Sequence, residues 1–254
     1  MYKSLAKNDF LNEFKLGKNY AVSGFLVYGS FKPSSRRLLT SALLKFGQKT
    51  KLGRLKHGFL APIFEFRVKG KNYWFANAYG SAALSEWLHI ACVLGSQKNV
   101  LIGTCGGLAR SGRARDLIIP SYSFADESTK RAYQPGVGNK HFADQNLSAK
   151  LSEHLSPRHN IFMGPTMTHQ AMLAETPRDI KNWSRQGFVG VEMEAATVFA
   201  VSRHFKVPAA AVLMISDNLI NGQSVFDSAH KKNRNLRQRL LRDILLVSTK
   251  ILLD

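Results

Sequence analysis

Short apolar runs alternate with longer stretches of helical periodicity along nearly the whole chain, and this alternation limits the fold more than any other feature. Residues 100–104 and 209–215 are strand-like runs, whereas residues 82–94 and 195–205 have apolar side chains at helical spacing. Strands that alternate with helices indicate an α/β fold with a largely parallel sheet. The sequence therefore predicts a single α/β domain, residues 1–254, in which helices flank a central twisted, mixed β-sheet.

Local signals identify further elements of this domain. Residues 59–68 and 73–78 are predicted to form a β-hairpin, because a short turn sequence separates two apolar runs. Thr176 followed by Pro177 indicates the N-cap and the first residue of a helix. Residues 127–157 are polar and rich in turn residues, so we expect a mobile flap over the site in that region.

The chain is strongly basic. It carries 36 Lys and Arg residues against 17 Asp and Glu residues, a net charge of +19, and the basic residues concentrate in 32–56 and 231–242. Such a charge can bind a polyanion or steer an anionic substrate. No zinc-finger pattern or aromatic-rich RNA-binding signature accompanies it, so we do not expect a nucleic-acid partner.

The two cysteines and the hydropathy of the chain indicate in which cellular compartment the protein is expected. Cys92 and Cys105 lie in apolar surroundings without metal-ligand spacing, which is typical of reduced core thiols in a cytosolic protein. No run approaches the roughly 18 apolar residues of a membrane span. We therefore expect a cytoplasmic protein that binds neither a membrane nor a metal.

Three acids stand just beyond the ends of apolar runs. Glu192 and Glu194 follow the run 188–191, and Asp217 follows the run 209–215. Charged side chains are rarely buried without a partner, so acids that end buried strands indicate a site. Ligands in open α/β sheets bind beyond the carboxyl ends of the strands. We therefore expect these three acids to meet at one ligand site.

A segment of small residues, Gly103 to Gly107, follows another apolar run and is predicted to form a turn after that strand. Small residues let the backbone approach a ligand closely. The amides of the turn and the Thr104 hydroxyl could hold an oxyanion, although a plain tight turn is the alternative. The segment is not a Walker loop, because the Gly-Lys-Ser/Thr of that motif is missing.

Taken together, these segments resemble the nucleoside phosphorylase family, which includes uridine phosphorylases, hexameric purine nucleoside phosphorylases and methylthioadenosine/adenosylhomocysteine nucleosidases. The most specific match is Val191-Glu192-Met193-Glu194-Ala195-Ala196 with Ile215-Ser216-Asp217-Asn218-Leu219 downstream. Supporting segments are residues 27–30, 102–108, 116–120, 125–129 and 171–176. The resemblance covers nearly the whole chain from about residue 21.

The resemblance implies an enzyme that cleaves a ribosyl N-glycosidic bond through an oxocarbenium-like sugar, without a metal or organic cofactor. In this interpretation Glu194 accepts hydrogen bonds from the sugar hydroxyls, and Asp217 donates a proton to the leaving purine. Because an aspartate normally has a pKa near 4, Asp217 needs an apolar setting to keep its proton. The implied site residues are Asp217 and Glu194 for catalysis, Glu192, Met193 and Glu194 for ribose, Gly29, Lys32, Arg36 and Thr104 for phosphate, and Cys105, Gly106, Met172, Ser216 and Asp217 for the base.

The reaction that we expect is phosphorolysis of a purine nucleoside to free base and ribose 1-phosphate, with inorganic phosphate as co-substrate. Phosphorylases of the family usually carry a phosphate-binding arginine where this chain has Leu101. Their early Gly-Asp-Pro-x-Arg segment also becomes Gly29-Ser30-Phe31-Lys32-Pro33, with Lys32 and Arg36 as possible replacements for its arginine. Hydrolysis by a methylthioadenosine/adenosylhomocysteine- or nucleotide-type nucleosidase is therefore the alternative. A non-catalytic, basic relative that binds nucleic acid is a distant third. The resemblance also implies a homo-oligomer, either a dimer or a hexamer.

The sequence also departs from the family at the aromatic residue that commonly stacks on the base. That position corresponds to Met172 or Leu173. Phe162, His169 and Phe226 are candidates for a replacement contact, with a core position as the alternative for each phenylalanine.

Overall fold

The computed structural model describes residues 2–29, 35–46, 48, 52–57, 60–125, 129–134, 136 and 138–254. Its strands are β1 (Val22–Gly29), β2 (Gly53–His57), β3 (Leu60–Val68), β4 (Lys71–Ala78), β5 (Asn99–Gly107), β6 (Leu117–Phe124), β7 (Lys140–Phe142), β8 (Ile161–Thr168), β9 (Gly190–Glu192) and β10 (Ala209–Asn218). Its α-helices are α1 (Lys7–Glu13), α2 (Ser35–Lys45), α3 (Ser81–Val93), α4 (Thr129–Tyr133), α5 (Gln145–Leu155), α6 (Pro177–Arg185), α7 (Ala195–His204), α8 (Ser228–Lys232) and α9 (Arg234–Leu253). Short 3-10 turns span Tyr2–Ser4, Met172–Ala174 and Leu219–Asn221.

The described strands form one mixed sheet that partly closes on itself. The order runs β2-β3-β4-β1-β5-β9-β8-β6-β10, and β10 pairs with β5 again. Strands β1, β4, β5 and β10 are parallel, whereas β9 runs antiparallel to β5. The sheet therefore consists of a closed ring (β5, β9, β8, β6 and β10) and an open wing (β1, β4, β3 and β2).

Alternate residues of the central strands face two separate hydrophobic layers. On β10, Ala211 and Leu213 pack with residues of α3 and α7, whereas Val212 and Met214 pack with residues of α2, α5 and α9. All four side chains are buried. Because helices cover both faces of this strand, its sequence is an uninterrupted apolar run. The predicted α/β class, with helices flanking a central mixed sheet, is confirmed.

Two local predictions from the sequence, the β-hairpin and the N-cap of α6, are confirmed. The hairpin of β3 and β4 is antiparallel, with Val68 opposite Lys71. Helix α6 begins at Pro177, the Thr176 hydroxyl accepts the N–H of Asp179, and the Asp179 carboxylate accepts the N–H of Thr176.

Within the described ranges, the helices are all too short or too polar to cross a bilayer.

The predicted turn at residues 103–107 is wrong, because β5 continues as a strand to Gly107. The continuation has a physical cause: β9 pairs with Gly106 and Gly107 on one side, and β10 pairs with the same two residues on the other. Packing at Gly106 is so close that a Cβ there would lie 2.4 Å from Cδ1 of Leu219. The small residues therefore serve strand packing as well as access for a ligand.

The predicted flap at residues 127–157 is wrong for its C-terminal part. Helix α5 occupies residues 145–155, and its buried side chains Leu147, Leu151 and Leu155 belong to the hydrophobic layer of α2 and α9. Asp144 caps the helix by accepting the N–H of Leu147 at 2.8 Å. The sequence did not indicate α5, because polar residues outnumber apolar residues in this segment.

Candidate active site

A cavity of about 660 Å³ lies at the C-terminal ends of β1, β5 and β10 and at the N-terminal end of α7. The strand ends meet there because β1, β5 and β10 are parallel neighbours, which is the arrangement in which α/β sheets bind ligands. The cavity is lined by these residues among those expected from the sequence: Gly29, Thr104, Cys105, Gly106, Met172, Glu192, Met193, Glu194, Ser216 and Asp217.

Glu194 precedes the first residue of α7 and is only 5% exposed. Its Oε1 accepts the N–H of Gly80 at 2.7 Å. Its Oε2 lies against Gly29, where a Cβ would be only 3.1 Å away, so glycine leaves room for the carboxyl at the end of β1. Burial, and secondarily the charge of Glu192, raises the pKa of Glu194 to about 8.

Glu192 is held entirely by the protein. Its Oε1 accepts the hydroxyls of Ser123, at 3.1 Å, and Thr168. Its Oε2 accepts the N–H groups of Glu194 at 2.7 Å and Ala195 at 2.6 Å. A carboxylate offers about four acceptor positions, so these donors fill them. The expected role of Glu192 in binding ribose does not fit this geometry, and its contacts instead position Glu194 and the start of α7.

Asp217 lies near the end of β10 and is 6% exposed. The Ser216 hydroxyl is in hydrogen-bond contact with Asp217 Oδ1 and lies 3.1 Å from the carbonyl of Cys105. Burial raises the pKa of Asp217, while the Ser216 hydrogen bond and the charge of His230 act in the opposite direction. The direction of the shift agrees with the apolar setting that a proton donor needs.

Other predicted residues form the floor between the two acids. Thr104 and Gly106 belong to β5 and line the cavity, as does Cys105. The Cys105 thiol is buried, which raises its pKa well above the ordinary value. A thiol in this setting stays protonated, so it does not serve as a nucleophile.

Met193 is fixed by a side chain that sequence reasoning missed. The carbonyl of Met193 accepts the Gln170 amide at 2.7 Å and the Ser81 hydroxyl at 3.1 Å. Gln170 also accepts the N–H of Ser81 at 2.9 Å. Gln170 therefore connects the start of α3 to the acidic segment.

Arg36, one of the two cations expected to bind phosphate, is not among the cavity-lining residues. The guanidinium carbon of Arg36 lies 5.2 Å from the centre of the Phe64 ring, and Arg36 borders a separate depression on α2. Lys32 lies outside the described residues. Leu101 is fully buried in the layer of α3 and α7. Of the four expected phosphate ligands, the cavity lining contains Gly29 and Thr104.

Basic residues reach the cavity from α6, α8 and α9 instead. The lining includes Lys181, His230, Arg234 and Arg237. Arg237 donates to the carbonyl of His230, and His230 Nδ1 lies 3.3 Å from the carbonyl of Ser216. Burial lowers the pKa of Arg237, and the charge of Asp217 opposes that shift. His230 and Arg237 therefore lie at the Asp217 end of the cavity.

A helical pattern could have identified the residues from α9. Arg234, Arg237, Gln238 and Leu241 line the cavity at positions i, i+3, i+4 and i+7 of one helix. From the sequence, residues 231–242 were interpreted as part of a basic surface that could bind a polyanion or steer an anionic substrate, and not as lining of the site.

The open rim of the cavity is apolar. Phe226, one of the candidates for a base contact, lines the cavity and is 71% exposed, and Leu173 beside Met172 is 83% exposed. The other candidates lie elsewhere: Phe162 packs against the core, and the His169 ring contacts the Trp183 ring at a tilt of 52°, with 5.2 Å between ring centres.

Curated relatives of this chain are nucleoside phosphorylases by name. A purine nucleoside phosphorylase DeoD-type from Clostridium beijerinckii is 29% identical over 136 residues, which is 50% of this chain and 54% of that protein. A guanosine phosphorylase from Halorubrum lacusprofundi is 27% identical over 124 residues, which is 47% of this chain and 50% of that protein. The chain thus spans about half the length of the curated relatives it matches.

Two solved structures share the fold at low sequence identity. A uridine phosphorylase from Vibrio fischeri superposes with a TM-score of 0.72 at 16% identity and covers 99% of this chain and 97% of that chain. A mutant of Helicobacter pylori MTAN with 5'-methylthioadenosine in its active site gives a TM-score of 0.69 at 14% identity, covering 91% and 98%. The family model described as phosphorylase superfamily matches residues 79–246, well over half of the 254 residues. The chain therefore belongs to the phosphorylase superfamily.

Proposed function

We propose that this protein cleaves the N-glycosidic bond of a purine nucleoside by phosphorolysis, giving free base and ribose 1-phosphate. One observation carries the proposal: Glu194 and Asp217, which are 23 residues apart in sequence, line the same cavity. Each is buried, and each has a raised pKa. Perturbed acids that face one cavity are typical of catalytic sites.

At the sugar end, Glu194 has one oxygen bound to the Gly80 amide and the other beside Gly29. In the proposed complex the ribose hydroxyls donate to this carboxylate. Such hydrogen bonds favour the ionised form and lower its pKa from the value in the empty cavity. The negative charge then stabilises the oxocarbenium character that develops at the anomeric carbon.

At the base end, Asp217 donates its proton to a ring nitrogen of the purine. The bond between the sugar carbon and the base breaks, its electron pair remains on the base, and a phosphate oxygen forms the new bond to that carbon. A protonated base is a better leaving group, and general acids of this kind contribute about 100- to 10,000-fold to rate. The raised pKa of Asp217 supports this role.

The proposed phosphate subsite uses the Gly29 amide and the Thr104 hydroxyl, at the Glu194 end of the cavity. Arg36 does not line the cavity and Arg237 lies at the Asp217 end, so the subsite is proposed on these two neutral groups. The names of the curated relatives also favour phosphate as the nucleophile. No organic cofactor or metal is part of this proposal.

Hydrolysis is the second candidate, and the position of Leu101 favours it. This side chain is fully buried, so it leaves the cavity without the cation that phosphorylases usually place there. A water molecule would then take the place of phosphate. Glu194 and Asp217 keep the same roles in either reaction.

A nucleoside panel tests the proposal and separates the two reactions. Adenosine, inosine, guanosine, uridine and 5'-methylthioadenosine are incubated with the protein, with phosphate present or withheld, and products are separated by chromatography. Phosphorolysis predicts base release that requires phosphate, with ribose 1-phosphate as the second product. Base release without phosphate selects hydrolysis. If the folded protein leaves every purine nucleoside intact under both conditions, the proposed function is wrong.

We further propose that the protein acts as a homo-oligomer, either a dimer or a hexamer. The exposed apolar side chains Leu173 and Phe226 at the rim of the cavity support this, because a second subunit could cover them. Sedimentation velocity measures the mass in solution, and a monomer at all concentrations would rule it out.

A further inference from the structure

Glu175 is an acid in the cavity that sequence reasoning did not single out. It follows the 3-10 turn Met172–Ala174 and precedes α6. Its side chain lines the cavity and is half-buried. The same segment also contributes Met172 and Leu173 to the cavity lining.

Unlike the other acids of the cavity, Glu175 has no hydrogen-bond donor of its own among the described residues. Glu192 accepts four donors, Glu194 accepts the Gly80 amide, and Asp217 contacts the Ser216 hydroxyl. A half-buried carboxyl that faces a ligand cavity without a protein donor has its acceptor positions available to a donor on the ligand.

The elements next to Glu175 place it at the base end of the cavity. Helix α6, which begins at Pro177, packs against the 3-10 turn Leu219–Asn221, and that turn directly follows β10 with Asp217. Burial, and then the charges of Asp217 and Asp179, raise the pKa of Glu175 to about 7. Glu175 therefore lies on the side of the cavity that carries Asp217.

The edge of a purine on which N7 lies differs between the common bases. Adenine presents the N7 acceptor beside a 6-amino donor, whereas guanine presents N7 beside a 6-oxo acceptor; hypoxanthine also carries a 6-oxo group. With N7 as the ring nitrogen that Asp217 protonates, a carboxylate beside Asp217 can accept a hydrogen bond from the 6-amino group. It repels the oxo group, which has no proton to donate there.

We propose that Glu175 determines base specificity, with its carboxylate accepting a hydrogen bond from the 6-amino group and so favouring 6-aminopurine over 6-oxopurine nucleosides. This inference rests on the proposed cleavage reaction and goes beyond it, because it names the base that the site selects. Sites that hydrogen-bond a substrate group discriminate strongly against an analogue without it, since the site is left unpaired.

The test compares kcat/KM for adenosine and inosine at pH 8, where Glu175 is mostly ionised. We expect the wild-type protein to prefer adenosine by about tenfold or more, the range of a charge-assisted hydrogen bond. Glu175→Gln presents an amide that donates as well as accepts, so it should reduce this ratio by about tenfold while inosine cleavage is kept or improved. Glu153→Gln, on the exposed face of α5, is the matched control and should leave the ratio unchanged.

Binding of free adenine and hypoxanthine, measured by calorimetry, gives a readout that does not need turnover. A loss of adenine preference in Glu175→Gln supports the inference even if the wild-type protein cleaves no nucleoside, in which case only the proposed reaction fails. Conversely, if nucleosides are cleaved but Glu175→Gln leaves both ratios within twofold of wild type, the role of Glu175 is wrong and the reaction stands. Circular dichroism and thermal unfolding confirm that each variant is folded.

Discussion

The floor and the rim of the cavity are built in different ways. On the floor, Glu192, Glu194 and Asp217 are each at most 6% exposed, and strand ends and main-chain donors hold them. On the rim, Leu173 is 83% exposed and Phe226 is 71% exposed, on loops outside the sheet. The floor is therefore organised before a ligand arrives, whereas the rim leaves apolar surface for a ligand or a second subunit to cover. This comparison suggests that residues of the floor carry out the reaction, whereas residues of the rim select the substrate.

The largest effect should come from removing the proton donor on the floor. Asp217→Asn keeps the shape of the side chain but cannot donate an acidic proton. We expect kcat/KM for a purine nucleoside to fall by about 100- to 10,000-fold. Steady-state kinetics with the best nucleoside of the panel measures this loss.

A substrate that needs no proton distinguishes this role from a structural one. In an N7-methylated purine nucleoside the base already carries a positive charge, so its departure does not depend on a general acid. Asp217→Asn should cleave this substrate nearly as well as the wild-type protein does. An equal loss on both substrates would indicate that Asp217 acts in binding or folding instead.

Glu192 should affect stability as well as activity, because its carboxylate satisfies four donors in a buried site. Glu192→Ala leaves the hydroxyls of Ser123 and Thr168 and two N–H groups of α7 without their acceptor. We expect the free energy of unfolding to fall by about 3 kcal/mol or more, as measured by urea denaturation. Glu153→Ala, an exposed change on α5, should alter it by less than about 0.5 kcal/mol. Equal values for the two variants would contradict the assigned network.

Glu194 is expected to lower the free energy of unfolding, although it is needed for the proposed reaction. Its pKa is about 8 in the folded protein, against an ordinary value of 4.5. Between these values the folded state binds more protons than the unfolded state, so stability falls as pH rises. Glu194→Gln removes this penalty, and we expect its gain in melting temperature over wild type to be larger at pH 8 than at pH 5.

The same variant should lose most of its activity, because an amide cannot provide the negative charge proposed to stabilise the sugar cation. Thermal unfolding at the two pH values, together with kinetics, checks both halves of the prediction. A difference in melting temperature between the variant and wild type that is the same at pH 5 and pH 8 would contradict the raised pKa of Glu194.

The contrast between floor and rim also explains what the sequence could predict. Glu194 and Asp217 follow apolar runs that form buried strands, and parallel neighbours carry their ends to the same edge of a sheet. Arg36 was placed with the phosphate ligands because it is close to Gly29 in sequence, but α2 turns its side chain towards Phe64. The helical spacing of Arg234, Arg237, Gln238 and Leu241 indicates a shared face of α9. That this face meets the acids depends on the packing of α9 in the fold, which the spacing does not show.

The sequence also could not predict that β5, β9, β8, β6 and β10 close into a ring. The pairing of β9 with Gly106 and Gly107 joins segments more than 80 residues apart. It depends on small residues that are equally suited to a tight turn. The four donors of Glu192 come from β6, β8 and the start of α7, so the difference between its role and that of Glu194 appears only in three dimensions.

The smallest expected effect concerns the rim. Phe226→Ala removes an exposed ring, so the free energy of unfolding should change by less than about 0.5 kcal/mol. If the ring stacks on the bound base, its loss costs roughly 1 kcal/mol, which raises KM about fivefold and leaves kcat nearly unchanged. Phe142→Ala removes a ring that is 53% exposed on β7 and should change neither constant. A loss of kcat in Phe226→Ala would mean that the rim takes part in the chemistry, and the division between floor and rim would no longer hold.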